Sequence, residues 1–254
     1  MALELNIFCL DIIDRQPIPG CFGSGGATGT ETYLDWLLQA WGQTVQVALL
    51  SLVVALLVGS LIGTIRTLPS SPWLVRIGNV WVELFRNIPL LVQIFIWYHV
   101  IPVVFPLFAD TPKLVLVVFG LGFFTSARIA EQVRAGIQAL PRGQRYAAMA
   151  VGFTTWQTYR YVLLPMAYRI ILPPLTSESM NIFKNSSVAY AVSIAELTFF
   201  AQQAGEETSR GIEIYLGVTV LYAISALTIN RIMAWVERRV AVPGFVSSTG
   251  GGGH

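Results

Sequence analysis

The chain has 254 residues, of which 54% are hydrophobic and only 12% charged, and its mean hydropathy is +0.63. A soluble domain carries about 25% charged residues and needs that charged surface to stay in solution, so the composition excludes an ordinary water-soluble globule and makes lipid the expected solvent. The formal net charge of +2 is too small to indicate nucleic acid as a partner.

Residues 1–30 read as a loose extracytoplasmic lead-in, rich in small residues from Gly20 to Gly29. Glu4, Asp11 and Asp14 stand where a cleaved signal peptide needs a basic and then an unbroken apolar stretch. Cys9 and Cys21, the only cysteines, could pair if this end faces an oxidising compartment; the plainer alternative is two free thiols. No cysteine or histidine cluster suggests a metal site, and no cofactor is expected. From Thr32 to Trp41, Leu34, Leu37, Leu38 and Trp41 recur at helical spacing, which predicts an amphipathic helix lying at the membrane interface.

Val45–Ile65 is a span of 21 uncharged residues, long enough for a hydrocarbon core about 30 Å thick. A second span is expected over Ile88–Phe108, with Pro89, Pro102 and Pro106 able to kink or end it. The third begins at Leu114, is apolar to Ala127 and turns amphipathic towards Ile137. The fourth, between about Ile170 and Phe200, should be interrupted by Pro173-Pro174 and by Lys184-Asn185-Ser186-Ser187. The fifth is Ile214–Asn230, and a polar, glycine-rich tail follows. Trp73, Trp81, Trp97, Trp156 and Trp235 fall near predicted span ends, as an interfacial belt requires.

Five spans put the termini on opposite sides, and the cations decide which way round. Twelve of the 16 basic residues fall on the face that holds residues 128–169 and the C-terminus. Arg15, Lys113, Lys184 and Arg210 fall on the other. The positive-inside rule then places the N-terminus outside, the C-terminus inside and residues 128–169 in the cytoplasm. Within that loop Tyr146–Ala150 is a short helix former with a small-residue face, ended by Gly152 as a C-cap, and a second segment runs from Thr155 to a stop at Pro165. Such a helix suits a groove on a partner; shape alone leaves open an ordinary connecting loop.

Bacterial ABC importer permeases share a consensus of EAA, three residues, G, nine residues, then I-x-L-P. This chain resembles it with Tyr146-Ala147-Ala148, Gly152 and Val162-Leu163-Leu164-Pro165 at the same spacing. Tyr146 replaces the acidic residue, which leaves the docking helix itself in place. The polar amino-acid branch (histidine, glutamine, glutamate) is matched further by Glu83-Leu84-Phe85-Arg86-Asn87-Ile88-Pro89-Leu90-Leu91-Val92-Gln93, by Glu131–Ile137 and by Lys184–Ser187. Ala127–Arg134 and Pro173–Glu178 look most like glutamate/aspartate permeases.

The resemblance implies an all-α membrane protein of the MetI-like type I importer fold. It divides the chain into a periplasmic lead-in (1–42), a transmembrane domain (43–240, with a coupling loop at about 138–168) and a cytoplasmic tail (241–254). It also implies an ABC ATPase, a second permease subunit of the same or a related chain, and a periplasmic substrate-binding protein as partners in the inner membrane. Tyr146, Ala147, Ala148, Gly152, Leu164 and Pro165 would then couple to the ATPase. No glycine precedes Lys113 or Lys184, so this chain has no P-loop, and ATP must act through a separate subunit.

A charge within a bilayer costs about 3 kcal/mol even on lenient scales, so charges near the spans need partners or a function. Arg128 and Glu131, three apart, could pair on one helical face. Arg128, Glu131, Glu178, Lys184, Asn185 and Ser186 are candidate substrate-pathway residues for an anionic amino acid; interfacial pairing for Arg128 and helix-end snorkelling for Lys184 are the plainer alternatives. Two rival functions remain: a secondary transporter or channel for small polar solutes without an ATPase, and a membrane-embedded enzyme. The enzyme would need a nucleophile–base pair or metal cluster, for which His99 is thin material.

Overall fold

The computed structural model describes residues 5–13, 32–69 and 71–240, which are almost wholly helical. Helix α1, Tyr33–Ile65, is continuous for 33 residues, about 50 Å. The interfacial segment expected at Thr32–Trp41 is therefore the first part of this continuous helix and not a separate one. Thr32 and Asp35 form a reciprocal capping box that starts it. The lead-in is anchored over residues 5–13. Ile7 and Phe8 are buried with Tyr33, Leu37, Phe200 and Ile214, and Cys9 is disulfide-bonded. Cys21 lies outside the described residues, as does the expected tail.

A helix that sequence periodicity missed, α2 (Pro72–Asn87), precedes the second apolar run. The chain bends by 105° at Ile88–Pro89 into α3 (Leu90–Phe95). Pro89 has no N–H to extend α2, and the buried side chain of Gln93 takes over. Its Nε2 donates to the Phe85 and Ile88 carbonyls, both at 2.9 Å. A π-helical turn, Ile96–Val100, then leads into α4 (Ile101–Val104). Pro102 in α4 cannot donate to the carbonyl four residues back, and the wider turn absorbs that loss.

Helix α5, Lys113–Gln138, is the centre of the molecule and ends where sequence periodicity placed its end. Arg128 and Arg134 therefore belong to this helix and not to the loop, which shortens to residues 139–163. There α6 (Arg142–Ala150) ends at Gly152, whose φ of +87° is the left-handed geometry expected of it. Helix α7 (Thr155–Thr158) opens on a Thr154–Gln157 capping box. It does not stop at Pro165. A π turn, Tyr159–Leu163, leaves the missing N–H of Pro165 without consequence and carries the chain straight into α8, Leu164–Asn185.

Pro173 and Pro174 do not break α8 either. Their rings lie on its exposed side, while Ile171, Leu175, Ile182 and Phe183 pack inward. The break comes where Lys184–Ser187 predicted it, at a 3-10 stretch over Ser186–Val192. Helix α9 (Leu197–Thr208) follows and carries Glu206 and Glu207. Helix α10, Gly211–Val240, closes the fold ten residues beyond the expected end of the last span.

Among the described residues three helices, α1, α5 and α10, are long and apolar enough to cross a membrane, and the bent pair, counted as one span, makes a fourth. Helix α8 has the length but carries Arg169, Glu178 and Lys184. The tryptophans are not simply a belt. Trp81 and Trp97 join Phe85, Phe119 and Phe123 in one aromatic cluster, and Trp81 donates to Ser126 Oγ.

Helices α1 and α5 meet along glycines. A Cβ at Gly63 would lie 2.7 Å from Val133 Cβ and the Ala130 carbonyl, and one at Gly59 would lie 2.8 Å from Ile129. Gly143 in α6 has open space around it. Gly63→Val is expected to destabilise by about 2 kcal/mol through overpacking, whereas Gly143→Ala is expected to be neutral or stabilising by a few tenths of a kcal/mol. Thermal unfolding of the detergent-purified chain measures both.

Candidate functional site

Of the charges expected near membrane depth, Arg128, Glu131 and Glu178 are paired across helices, but not as sequence spacing suggested. Arg128 and Glu131 do not pair with each other. Arg128 Nη1 lies 3.6 Å from Glu178 Oε2 on α8. Glu178 is buried, and its Oε1 accepts a 3.4 Å hydrogen bond from Gln132. At 3.6 Å the Arg128 contact is Coulombic rather than hydrogen-bonded, and Glu178 Oε2 has no hydrogen-bond donor. The Arg128 side chain remains 43% exposed and faces the Phe124 ring.

Glu131 serves a different group. Its Oε1 lies 2.9 Å from Nη2 of Arg66, the C-cap residue of α1. Arg86 of α2 and Arg134 of α5 approach to 3.6 and 3.5 Å. Arg66 is the buried member at 6% side-chain exposure, and its Nε donates to Asn79 Oδ1 at 2.7 Å. Gly78 makes room for it: a Cβ there would lie 2.6 Å from Arg66 Cγ. Arg66, Asn79, Gly78 and Gln93 were not singled out from the sequence. A lone arginine after an uncharged run was the available signal, and it was read only as a topological marker.

Lys184 is exposed on the last turn of α8, where a cation complements the helix C-terminus. It stands six residues, about 9 Å, along the helix from Glu178. Asn185 is half-buried, and the buried Ser186 hydroxyl donates to the Phe183 carbonyl. Lys184, Asn185 and Ser186 thus form the helix end and are not gathered with Arg128. Glu196, fully buried, caps α9 by accepting from the Thr198 and Phe199 N–H groups and from Tyr222 Oη.

The loop carries the other feature. Ala148 of α6 is buried, whereas Tyr146, Met149, Val151, Phe153 and Trp156 are all exposed, Val151 by 74%. Ala147 and Gly152 are exposed beside them. Leu164 is half-buried and Pro165 exposed at the start of α8. Tyr159, buried in the π turn, donates its hydroxyl to the Thr67 carbonyl at 2.7 Å and so ties this platform to the end of α1.

An all-helical membrane body with a paired charged seam inside, an apolar platform outside and no nucleotide-binding loop defines a pathway subunit that works through partners. The chain belongs to the family of binding-protein-dependent transport system inner membrane components, whose pattern matches residues 55–242. It is 40% identical over 235 residues to the glutamate/aspartate import permease protein GltJ of Escherichia coli K12, covering 89% of this chain and 95% of that one. It is 32% identical over 207 residues to a probable amino-acid ABC transporter permease protein, PatM, of Vibrio harveyi, covering 82% and 92%. Among solved structures, an amino acid ABC transporter with histidines is 29% identical at a TM-score of 0.70, covering 82% of this chain and 95% of that one. The MetNI methionine ABC transporter, at 22% identity and a TM-score of 0.70 over 82% and 97% of the two chains, shares the fold. The importer-permease resemblance read from the loop motif is thereby borne out.

Replacing one partner of a buried pair leaves the other charge uncompensated, at about 3 kcal/mol or more. Glu131→Gln is therefore expected to lower the thermal midpoint of the purified protein far more than Arg134→Gln, because Arg66 is buried and Arg134 is half-exposed. Equal shifts would show that Arg66 does not depend on Glu131.

Proposed function

We propose that the chain is the permease half of an ABC importer that moves an acidic amino acid, glutamate or aspartate, into the cytoplasm by alternating access. The observation that carries the coupling is the platform of exposed Tyr146, Met149, Val151, Phe153 and Trp156 around a left-handed Gly152. Apolar side chains so grouped mark a protein–protein contact, and the partner that fits is the ATPase. Exposed Ala147 lets α6 lie close in its groove, buried Ala148 seats α6 on its own chain, and Leu164-Pro165 begin the helix that receives the movement.

In this reading the N-terminus is outside, the C-terminus inside, and the loop at about 138–168 cytoplasmic. Residues 1–42 and 241–254 flank a transmembrane domain of 43–240. A second permease subunit completes the pathway, and a periplasmic binding protein delivers the substrate. The similarity to a glutamate/aspartate permease supports the acidic substrate. So does the Arg128–Glu178 pair, in which a half-exposed guanidinium is held by contact without a hydrogen bond. Arg128 exchanges Glu178 for the substrate carboxylate as the pathway opens. Glu131 keeps Arg66 in place, and Lys184, Asn185 and Ser186 shape the pathway end of α8.

Loss of one charge-assisted contact corresponds to about a tenfold change or more. Arg128→Ala in the reconstituted complex is expected to cut glutamate and aspartate uptake to that extent while ATP hydrolysis without substrate persists; Arg128→Lys should keep part of the uptake. Equal loss of both activities would rule out a substrate role. Uptake that needs no ATP and no co-purifying ATPase would instead favour a secondary transporter. Labelling of Val151→Cys by an impermeant maleimide in intact cells would overturn the orientation.

A further inference from the structure

A cavity of about 510 Å³ lies between the end of α1, the start of α2, the end of α5 and the first turn of α6. Arg66, Arg142 and Arg145 line it, and no carboxylate does. The chain has no Asp or Glu at all between Glu131 and Glu178. Arg66 spends Nε on Asn79 and Nη2 on Glu131, but its Nη1 is buried and has no hydrogen-bond partner. A buried, unpartnered donor on a charged group calls for a bound water or ion. Arg142 and Arg145 form no ion pair among the described residues. Three cations thus surround one space, with a single carboxylate, Glu131, committed behind them.

The remaining wall is mixed, with Leu68, Val75, Ile137 and Leu140 beside Thr67, Gln138 and Tyr159. Arg66 and Ile137 stand at the ends of α1 and α5, so the cavity sits at the boundary between hydrocarbon and water. Guanidinium groups match phosphate oxygens in fork geometry, and anionic headgroups occupy basic pockets between membrane helices. We infer that this cavity binds a phosphate-type anion, either the phosphodiester headgroup of an anionic phospholipid or a free phosphate, and holds it against the α6 platform. Placing it in the cytoplasmic leaflet rests on the orientation proposed above. The bound anion would fix α6 relative to the end of α1, because Arg142 and Arg145 belong to one and Arg66 to the other.

The test uses the intact complex with its ATPase, in nanodiscs of phosphatidylcholine carrying a photoactivatable phosphatidylglycerol probe. Labelling is expected within the peptides around Arg66 and residues 134–145. R142Q and R145Q are each expected to reduce it about tenfold, the scale of one charge-assisted contact; both residues lie at the surface turn of α6, so folding should survive. If excess unlabelled phosphatidylglycerol competes and millimolar inorganic phosphate does not, the ligand is a lipid headgroup. If inorganic phosphate competes equally, it is a free phosphate. Labelling unchanged in both variants, or displaced equally by phosphatidylcholine, would overturn the site. Co-purification of the ATPase is scored on the same sample, so a failed importer reading and a failed anion site give different results.

Discussion

A guanidinium buried at the end of a membrane helix must have a counterion, and in this protein Arg66 finds it in Glu131. That pair joins α1 to α5 at 2.9 Å, and its other contacts draw α2 in through Asn79 and Arg86. Glycines at 59 and 63 bring the two long helices close enough for the pair to form. In lipid there is no hydrophobic force pressing helices together, so close packing between small residues and interhelical polar contacts must do it. Without the seam the arginine would be stranded, and without the arginine α2 would lose the Asn79 contact and keep only its Trp81 and Arg86 attachments to α5.

The route from platform to pathway is short and stiff. Tyr159 is hydrogen-bonded to the Thr67 carbonyl one residue beyond Arg66, and its π turn continues into α8 without a break. Glu178, the partner of Arg128, sits four turns along α8 from its start. In the proposed importer, a docking partner that shifted α6 would act on the charged pair through a continuous helix and on the α1–α5 seam through one hydroxyl.

Much of this was legible in the sequence because it follows from local rules. Long uncharged runs declared α1 and α10, and the platform helix was fixed by Tyr146–Ala150 and a glycine able to adopt positive φ. The failures share a cause: the fate of a proline or a charge depends on neighbours distant in sequence. Pro165, Pro173 and Pro174 looked like breaks, yet a π turn and an exposed helix face absorbed them. Helix α2 was missed because its apolar residues are split between the bundle and the outside. Arg128 and Glu131 satisfied the helical spacing for a pair, but better partners stood on α8 and α1, which spacing alone cannot reveal.

The end of the molecule at which residues 5–13 meet α10 carries its own lesson about order of assembly. Phe8, near the front of the chain, covers the bare backbone of Gly217, where a side-chain carbon would come within 2.5 Å of its ring. The segment at residues 5–13 is thus completed by a helix some two hundred residues later in the sequence, and it stays unclosed until α10 has been made. A chain cut short before α10 would display Phe8 without this cover, a mark by which proteases could tell an abandoned product from a finished one.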